Sequence, residues 1–221
     1  NEIRKYNFDM IFIFNSSLRF NIIAKLSGIP KIYQYPLFQK NKQHIIDTPK
    51  NFFKKELNLD VNEDSQIKVN NTLVSQSIKD FKIDFSKTNI LLGIGGSGPT
   101  KRIPAKTFLS VIDRLIEIKE CRFFLATGKD IGEQKILNEI LNSKFKNSLT
   151  RLDDLSIKDT LPIIKNCNLS ICNDSSFSHL SAALGIKTIT LMADTPIIYG
   201  NYNSKMYPII PDGEETVSHN T

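Results

Sequence analysis

The chain has 221 residues, of which 40% are hydrophobic and 24% charged, with a formal net charge of +6. That balance is enough for a buried core in one large domain, or one domain plus part of another, and no apolar run approaches the roughly 20 residues of a membrane span. The Lys and Arg residues are dispersed rather than gathered in a stripe, which speaks against nucleic acid and suits small anionic ligands, although solubility alone would also account for them.

The chain opens at Asn1 rather than Met, carries no signal-like segment, and is expected to be a fragment. FDMIFIFN (8–15) is a nearly continuous apolar run, as in a strand buried on both faces of a parallel sheet. Leu18, Ile22, Ile23 and Leu26 then recur at helical spacing, Gly28 and Pro30 stop the helix, and KIYQY (31–35) reads as a strand, completing a βαβ unit. A short helix is predicted over 47–56, after Thr48-Pro49. From Asp60 to Ser86 the chain is polar, with a weak helix near 72–81, and reads as an inter-domain connection.

From residue 88 strands and helices alternate strictly. TNILLGIG (88–95) is a strand, and a helix from near Pro104 has Phe108, Val111, Ile112, Leu115 and Ile116 as its buried stripe. CRFFLATG (121–128) is a strand, and a helix over 131–141 turns Ile136, Leu137, Ile140 and Leu141 inward. Ser156 caps a helix to about Asn166 that carries Pro162 inside it. NLSIC (168–172) is a strand, Ser175 to Leu184 a helix, and KTITLMA (187–193) a strand. Such alternation means an α/β fold with a Rossmann-like parallel sheet covered on both faces. Cys121, Cys167 and Cys172 show no metal-binding spacing; two lie in strand-like runs, where thiols act as small buried hydrophobes, and a reducing cytoplasm fits them.

In an open parallel sheet, ligands bind beyond the carboxyl ends of the strands, so the residues just after strands matter most. Gly93 to Pro104 forms a loop whose small residues let a phosphate approach the backbone, with Ser97, Thr100, Lys101 and Arg102 offering hydroxyls and charge. It fits GxGxxG weakly, because Pro99 interrupts the path into the helix, and it equally fits a glycine-rich turn beside a solvated basic pair. Asp174, Ser175, Ser176 and His179 open a helix directly after a strand, where free N–H groups and the positive dipole end favour an anion. Asp174 as a helix cap and His179 as a core residue are the plain alternatives. After the strand ending at Thr127, Gly128-Lys129-Asp130 offers a carboxylate where a ribose diol is commonly held, or is a charged turn.

Together these stretches resemble glycosyltransferase family 9, the ADP-heptose:lipopolysaccharide heptosyltransferases. NILLGIGGSGPTKRIPAKTFLSVIDRL is similar to the family's strand, small-residue loop, Lys-x-(aromatic)-Pro and helix. NLSICNDSSFSHLSAALGIKTITLMADTP looks like its Asp-(Ser/Thr)-Gly-x-x-His-x-Ala-Ala-x-Gly signature, and FDMIFIFNSSLRFNIIAKLSGIPKIYQY like the later part of its N-terminal domain. The resemblance implies a GT-B fold, with residues 1–70 as part of an acceptor-side domain and 71–221 as the nucleotide-sugar-binding domain. It implies that Gly96, Ser97 and Lys101 hold the donor's diphosphate, Asp130 the ribose and Leu155 the base. Asp174, Ser175, Ser176 and His179 would bind the diphosphate and sugar. The implied reaction is an inverting transfer, without metal or cofactor, from an ADP-sugar to a lipopolysaccharide core or lipid A-type acceptor, in the cytoplasm and peripherally at the inner face of the inner membrane. Lys101 and the helix start would offset charge on the leaving diphosphate. The family's catalytic Asp would precede Asn1, and Asp9, inside a predicted strand, is a poor substitute. Ser176 stands where the family has Gly and Ile103 where it has an aromatic, and the polar end PDGEETVSHNT lacks the expected crossing helix. Two rival readings are a nicotinamide-dependent oxidoreductase, for which no acid lies at the required spacing and strand end, and a non-catalytic sugar-nucleotide-binding relative.

Overall fold

The computed structural model describes residues 2–37, 45–193 and 197–211, without the side chains of residues 198 and 199. The loop residues 194–196 and most of the polar tail, both part of the resemblance above, lie outside the described residues. The chain divides into two compact units, Asn1–Glu63 and Asp64–Thr221. None of the described helices is long and apolar enough to cross a membrane.

In the first unit, β1 (Met10–Ile13) and β2 (Lys31–Gln34) pair in parallel across α1 (Leu18–Leu26), the expected βαβ unit. Ser17 caps α1, and Gly28 ends its turn at a φ of 76°, a backbone region that favours glycine. The Phe12 ring stacks on Tyr33 at 5.2 Å, and Phe52 of α2 (Asp47–Leu57) meets Phe14 and Tyr35 edge-on. The apolar stripe of α1 is not covered as its spacing implies. Leu18, Ile22, Ile23 and Leu26 are exposed, because two four-residue strands present too little surface to bury it. Asp9 lies just before β1 and is exposed, rather than inside the strand.

The second unit holds a six-stranded, all-parallel sheet. Its strands are β3 (Thr88–Gly93), β4 (Cys121–Ala126), β5 (Leu149–Arg151), β6 (Leu169–Asn173), β7 (Thr188–Leu191) and β8 (Met206–Ile209), in the order β5-β4-β3-β6-β7-β8. β5, only three residues long with a single apolar side chain, gives no sequence signal. Period-2 alternation divides the core between the two faces. Ile90, Leu92, Phe123 and Leu125 pack under α4 (Ala105–Ile118) and α5 (Ile131–Leu141). Leu91, Phe124, Ala126 and Cys172 pack under α3 (Asn71–Asp80), α6 (Ile157–Lys165) and α7 (Ser176–Ala183). A short α8 (Ile197–Gly200) precedes β8, whose Pro208 sits opposite Thr190 of β7. The sheet buries strands on both sides, which is why their sequences are unbroken apolar runs.

The polar stretch read as a connection is partly built into this unit. Ile67 N–H donates to Ala183 C=O, and Asn166 Nδ2 of α6 donates to Val74 C=O and Ser77 Oγ of α3. The second compact unit accordingly begins at Asp64.

Candidate functional site

The order β5-β4-β3-β6-β7-β8 reverses direction at β3, with β4 on one side and β6 on the other. The crevice between the carboxyl ends of β3 and β6 is therefore the topological switch point, where ligands of such sheets bind. A cleft of about 730 Å³ lies there, lined by residues 95–202 and so wholly within the second unit.

The first wall is the loop after β3. Pro99–Lys101 forms a single 3-10 turn, so α4 starts at Ala105, too late for a dinucleotide-type turn directly into a helix. Gly96 and Ser97 line the cleft, and the turn presents the Lys101 amine to it. A Cβ at Gly96 would stand 3.1 Å from both Lys101 Cβ and Lys101 O, so glycine permits this close approach. The Gly96 N–H is already donated, to Glu133 Oε1 at 2.9 Å. The contribution of Gly96 to a diphosphate is thus room rather than a donor.

The second wall is the start of α7, one residue later than expected. Ser175 is the N-cap, with extended backbone and no capping hydrogen bond from its side chain. Asp174 is not the cap. Its Oδ2 accepts from Lys101 Nζ at 2.7 Å, with only 7% of its side chain exposed. Its Oδ1 lies 3.9 Å from His179 Nε2. The His179 ring stacks on Tyr202 at 4.4 Å and 20°, and burial holds its pKa below the usual value against the pull of Asp174. Ser175 Oγ and His179 Nδ1 are buried, with no hydrogen-bond partner among the described residues. Both residues line the cleft. Ser176, at the first helical position, is exposed at the cleft.

The third wall lies at the tips of β4 and β5. Leu155 and Ile157 provide an apolar surface beside Asp153 and Lys129. The Asp153 side chain is fully buried and accepts from Arg151, Lys129 and Gln134; the Arg151 hydrogen bonds, first among these causes, hold its carboxyl far below the usual carboxylate range. Asp130 does not line the cleft. It caps α5 by accepting from Gly132 N–H at 2.8 Å and pairs with Arg102 at 2.7 Å. The acidic residues that line the cleft are Glu133, Asp153 and Asp174, the first two unmarked by any local pattern.

The structure thus brings Gly96, Ser97, Lys101, Leu155, Asp174, Ser175, Ser176 and His179 to one cleft and leaves Asp130 outside it. A cation opposite a helix N-terminus at the switch point of a Rossmann-like sheet is an anion-binding arrangement. The fold is an α/β, Rossmann-like parallel sheet of the GT-B class. Residues 1–209 match the model of glycosyltransferase family 9 (heptosyltransferase), and the chain belongs to that family.

Lipopolysaccharide heptosyltransferase 1 of Campylobacter coli is 29% identical over 134 residues, which take in 59% of this chain and 39% of that relative. The fold resembles that of the E. coli ADP-heptose lipopolysaccharide heptosyltransferase II, with a TM-score of 0.71 at 17% identity over 94% of this chain and 70% of that one. It also resembles a family 9 glycosyltransferase from Veillonella parvula, with a TM-score of 0.77 at 16% identity over 95% of this chain and 66% of that one. E. coli heptosyltransferase WaaC, solved with ADP, gives 0.68 at 14% identity over 95% of this chain and 70% of that one. The chain therefore spans about two fifths of the curated relative it matches.

Proposed function

We propose that this chain forms the donor-binding part of an inverting, metal-independent glycosyltransferase. The enzyme would move a heptose, or a related sugar, from an ADP-linked donor to a lipopolysaccharide core or lipid A-type acceptor at the inner face of the inner membrane. The observation that carries the reading is the Lys101 amine held 2.7 Å from Asp174 at the mouth of α7, within the switch-point cleft. WaaC has been solved with ADP and with an ADP-2-deoxy-2-fluoro heptose, which supports an ADP-sugar as the donor here.

On this reading the diphosphate lies between Lys101 and the first turn of α7, at the positive end of the helix dipole. The Leu155 surface takes the base, and Asp174 with His179 faces the sugar. The acceptor hydroxyl oxygen attacks the anomeric carbon as the bond from that carbon to the diphosphate oxygen breaks, and its electron pair leaves with ADP. Lys101 and the helix dipole favour that developing charge more than the bound donor, which is what lowers the barrier. The hydroxyl proton passes to a base that the family resemblance puts upstream of Asn1.

Calorimetric titration with ADP, ADP-heptose and NAD tests the binding step. ADP should bind, NAD should not, and Lys101→Ala should weaken ADP by about thirtyfold to a hundredfold, the worth of one charge-assisted contact to phosphate. Binding of NAD in preference to ADP would overturn the proposal. Transfer to a lipopolysaccharide acceptor by the full-length protein tests the reaction and separates an enzyme from a binding relative.

A further inference from the structure

The glycine loop after β3 is gripped from both sides by an oppositely charged pair. Gly96 N–H donates to Glu133 Oε1 at 2.9 Å, and Gly96 C=O accepts from Arg102 Nε at 3.0 Å. The other Glu133 oxygen accepts from Gly128 N–H at 2.7 Å and Thr127 Oγ1 at 3.0 Å. One carboxylate therefore ties the tips of β3 and β4 together. Glu133 stands in the first turn of α5, a place where acids usually meet solvent, yet its side chain is only 10% exposed. A buried carboxylate is costly unless donors surround it. Here three donors and the Arg102 guanidinium, at 3.9 Å, do so.

The neighbouring glycines make the space. A Cβ at Gly95 would come within 3.2 Å of the Glu133 carboxylate, and one at Gly128 within 2.6 Å. Gly96 in turn packs directly on the Lys101 backbone and Cβ. The orientation of the peptides around Gly96 therefore sets where Lys101 leaves the loop.

We propose that Glu133 and Arg102 are positioning residues that fix the peptide units flanking Gly96 and so hold the Lys101 amine at the diphosphate position. The choice of ligand rests on the donor-binding reading above; the geometry does not. The chemistry demands a carboxylate, because three donors converge on it. Glutamine has one acceptor oxygen and an amide NH2, and would face at least one of those donors with another donor.

Two measurements on the full chain, wild type and Glu133→Gln, test this. The first is amide hydrogen exchange by NMR. Gly96 and Gly128 N–H should be protected in the wild type, and at least one should lose protection in Glu133→Gln while Leu91 and Leu125 keep theirs. Unchanged protection at both glycines overturns the proposal. The second is titration with ADP and with adenosine. Glu133→Gln should weaken ADP about tenfold, as expected for one lost hydrogen bond to a charged group, and leave adenosine unchanged within about twofold. Adding Lys101→Ala should cost less than the product of the two single effects, because both act through one amine. Arg102→Lys, which keeps the charge and loses the planar fork, should give the same pattern more weakly. An equal loss for adenosine and ADP would mean direct ligand contact and overturns the positioning role, as does full multiplicativity with Lys101→Ala. Absence of ADP binding in the wild type would instead overturn the donor reading, and the exchange data would still decide the fate of the brace.

Discussion

On the donor-binding reading, Asp174→Asn should tighten ADP while removing the donor sugar's share of the affinity. Lys101 is paired with Asp174 at 2.7 Å, and a diphosphate must share that amine with a carboxylate of its own sign. Two unit charges about 4 Å apart interact by about 4 kcal/mol at an effective dielectric of 20. The Lys101 side chain is 23% exposed, so water screens part of this, and Lys101 keeps some of its attraction to both partners. A net repulsion of about 1–2 kcal/mol is then relieved by the amide, which tightens ADP roughly fivefold to thirtyfold. Asparagine keeps the size of the side chain and one acceptor oxygen, so the fold should survive. The sugar, however, loses its carboxylate partner, and ADP-heptose should no longer bind more tightly than ADP. Calorimetry with both ligands on both proteins gives the four constants required. If Asp174→Asn weakens ADP tenfold, the carboxylate contacts the nucleotide favourably and the assignment of Asp174 to the sugar is wrong.

Burial lowers the His179 pKa, Asp174 partly offsets the shift and Lys101 adds to it. The unfolded chain therefore takes up that proton first, and stability should fall as pH drops from about 7 towards 5; urea denaturation across this range should show a shallower fall in His179→Gln. Burial pushes the Cys172 thiol up to about 12 and raises Cys167 and Cys121 as well, so an alkylating reagent at about pH 8 should label none of the three until denaturant is added. A Cβ at Gly93 would lie 2.6 Å from Cys172 Sγ in the packed core. Gly93→Ala should therefore destabilise the chain by about 1–3 kcal/mol, read as a lower Tm, and an unchanged Tm would show that β3 and β6 separate easily.

Apolar runs and helical spacing carry most of the second unit's architecture, because strands covered on both faces need unbroken hydrophobicity and the helices one inward stripe. Lys101, Asp174, Ser175 and His179 were legible for a related reason: in a parallel sheet the residues just after strands share one edge. What escaped depends on contacts between distant segments. Lys101 and Asp174 are 73 positions apart, so their pairing has no local sign. Glu133 looks like any acid in a helix's first turn, and only the meeting of Gly96 with Gly128 buries it. Tyr202 enters from the chain between α8 and β8, where no pattern announces a ring for His179. Asp130, a carboxylate just after a strand, caps α5, a role that its position before Ile131 marks in the sequence.

Pro208 has a consequence for solubility. Among the described residues, β8 is the terminal strand of the six, paired on one side to β7. A terminal strand in a parallel sheet offers a template onto which a second chain can add its own, the first step towards aggregation. Proline has no N–H to offer an incoming strand, and at this position it costs the sheet little. Pro208→Val would make the outer rim a continuous template of β-branched and aromatic side chains beside Tyr207 and Ile209, both exposed, and so invite self-association.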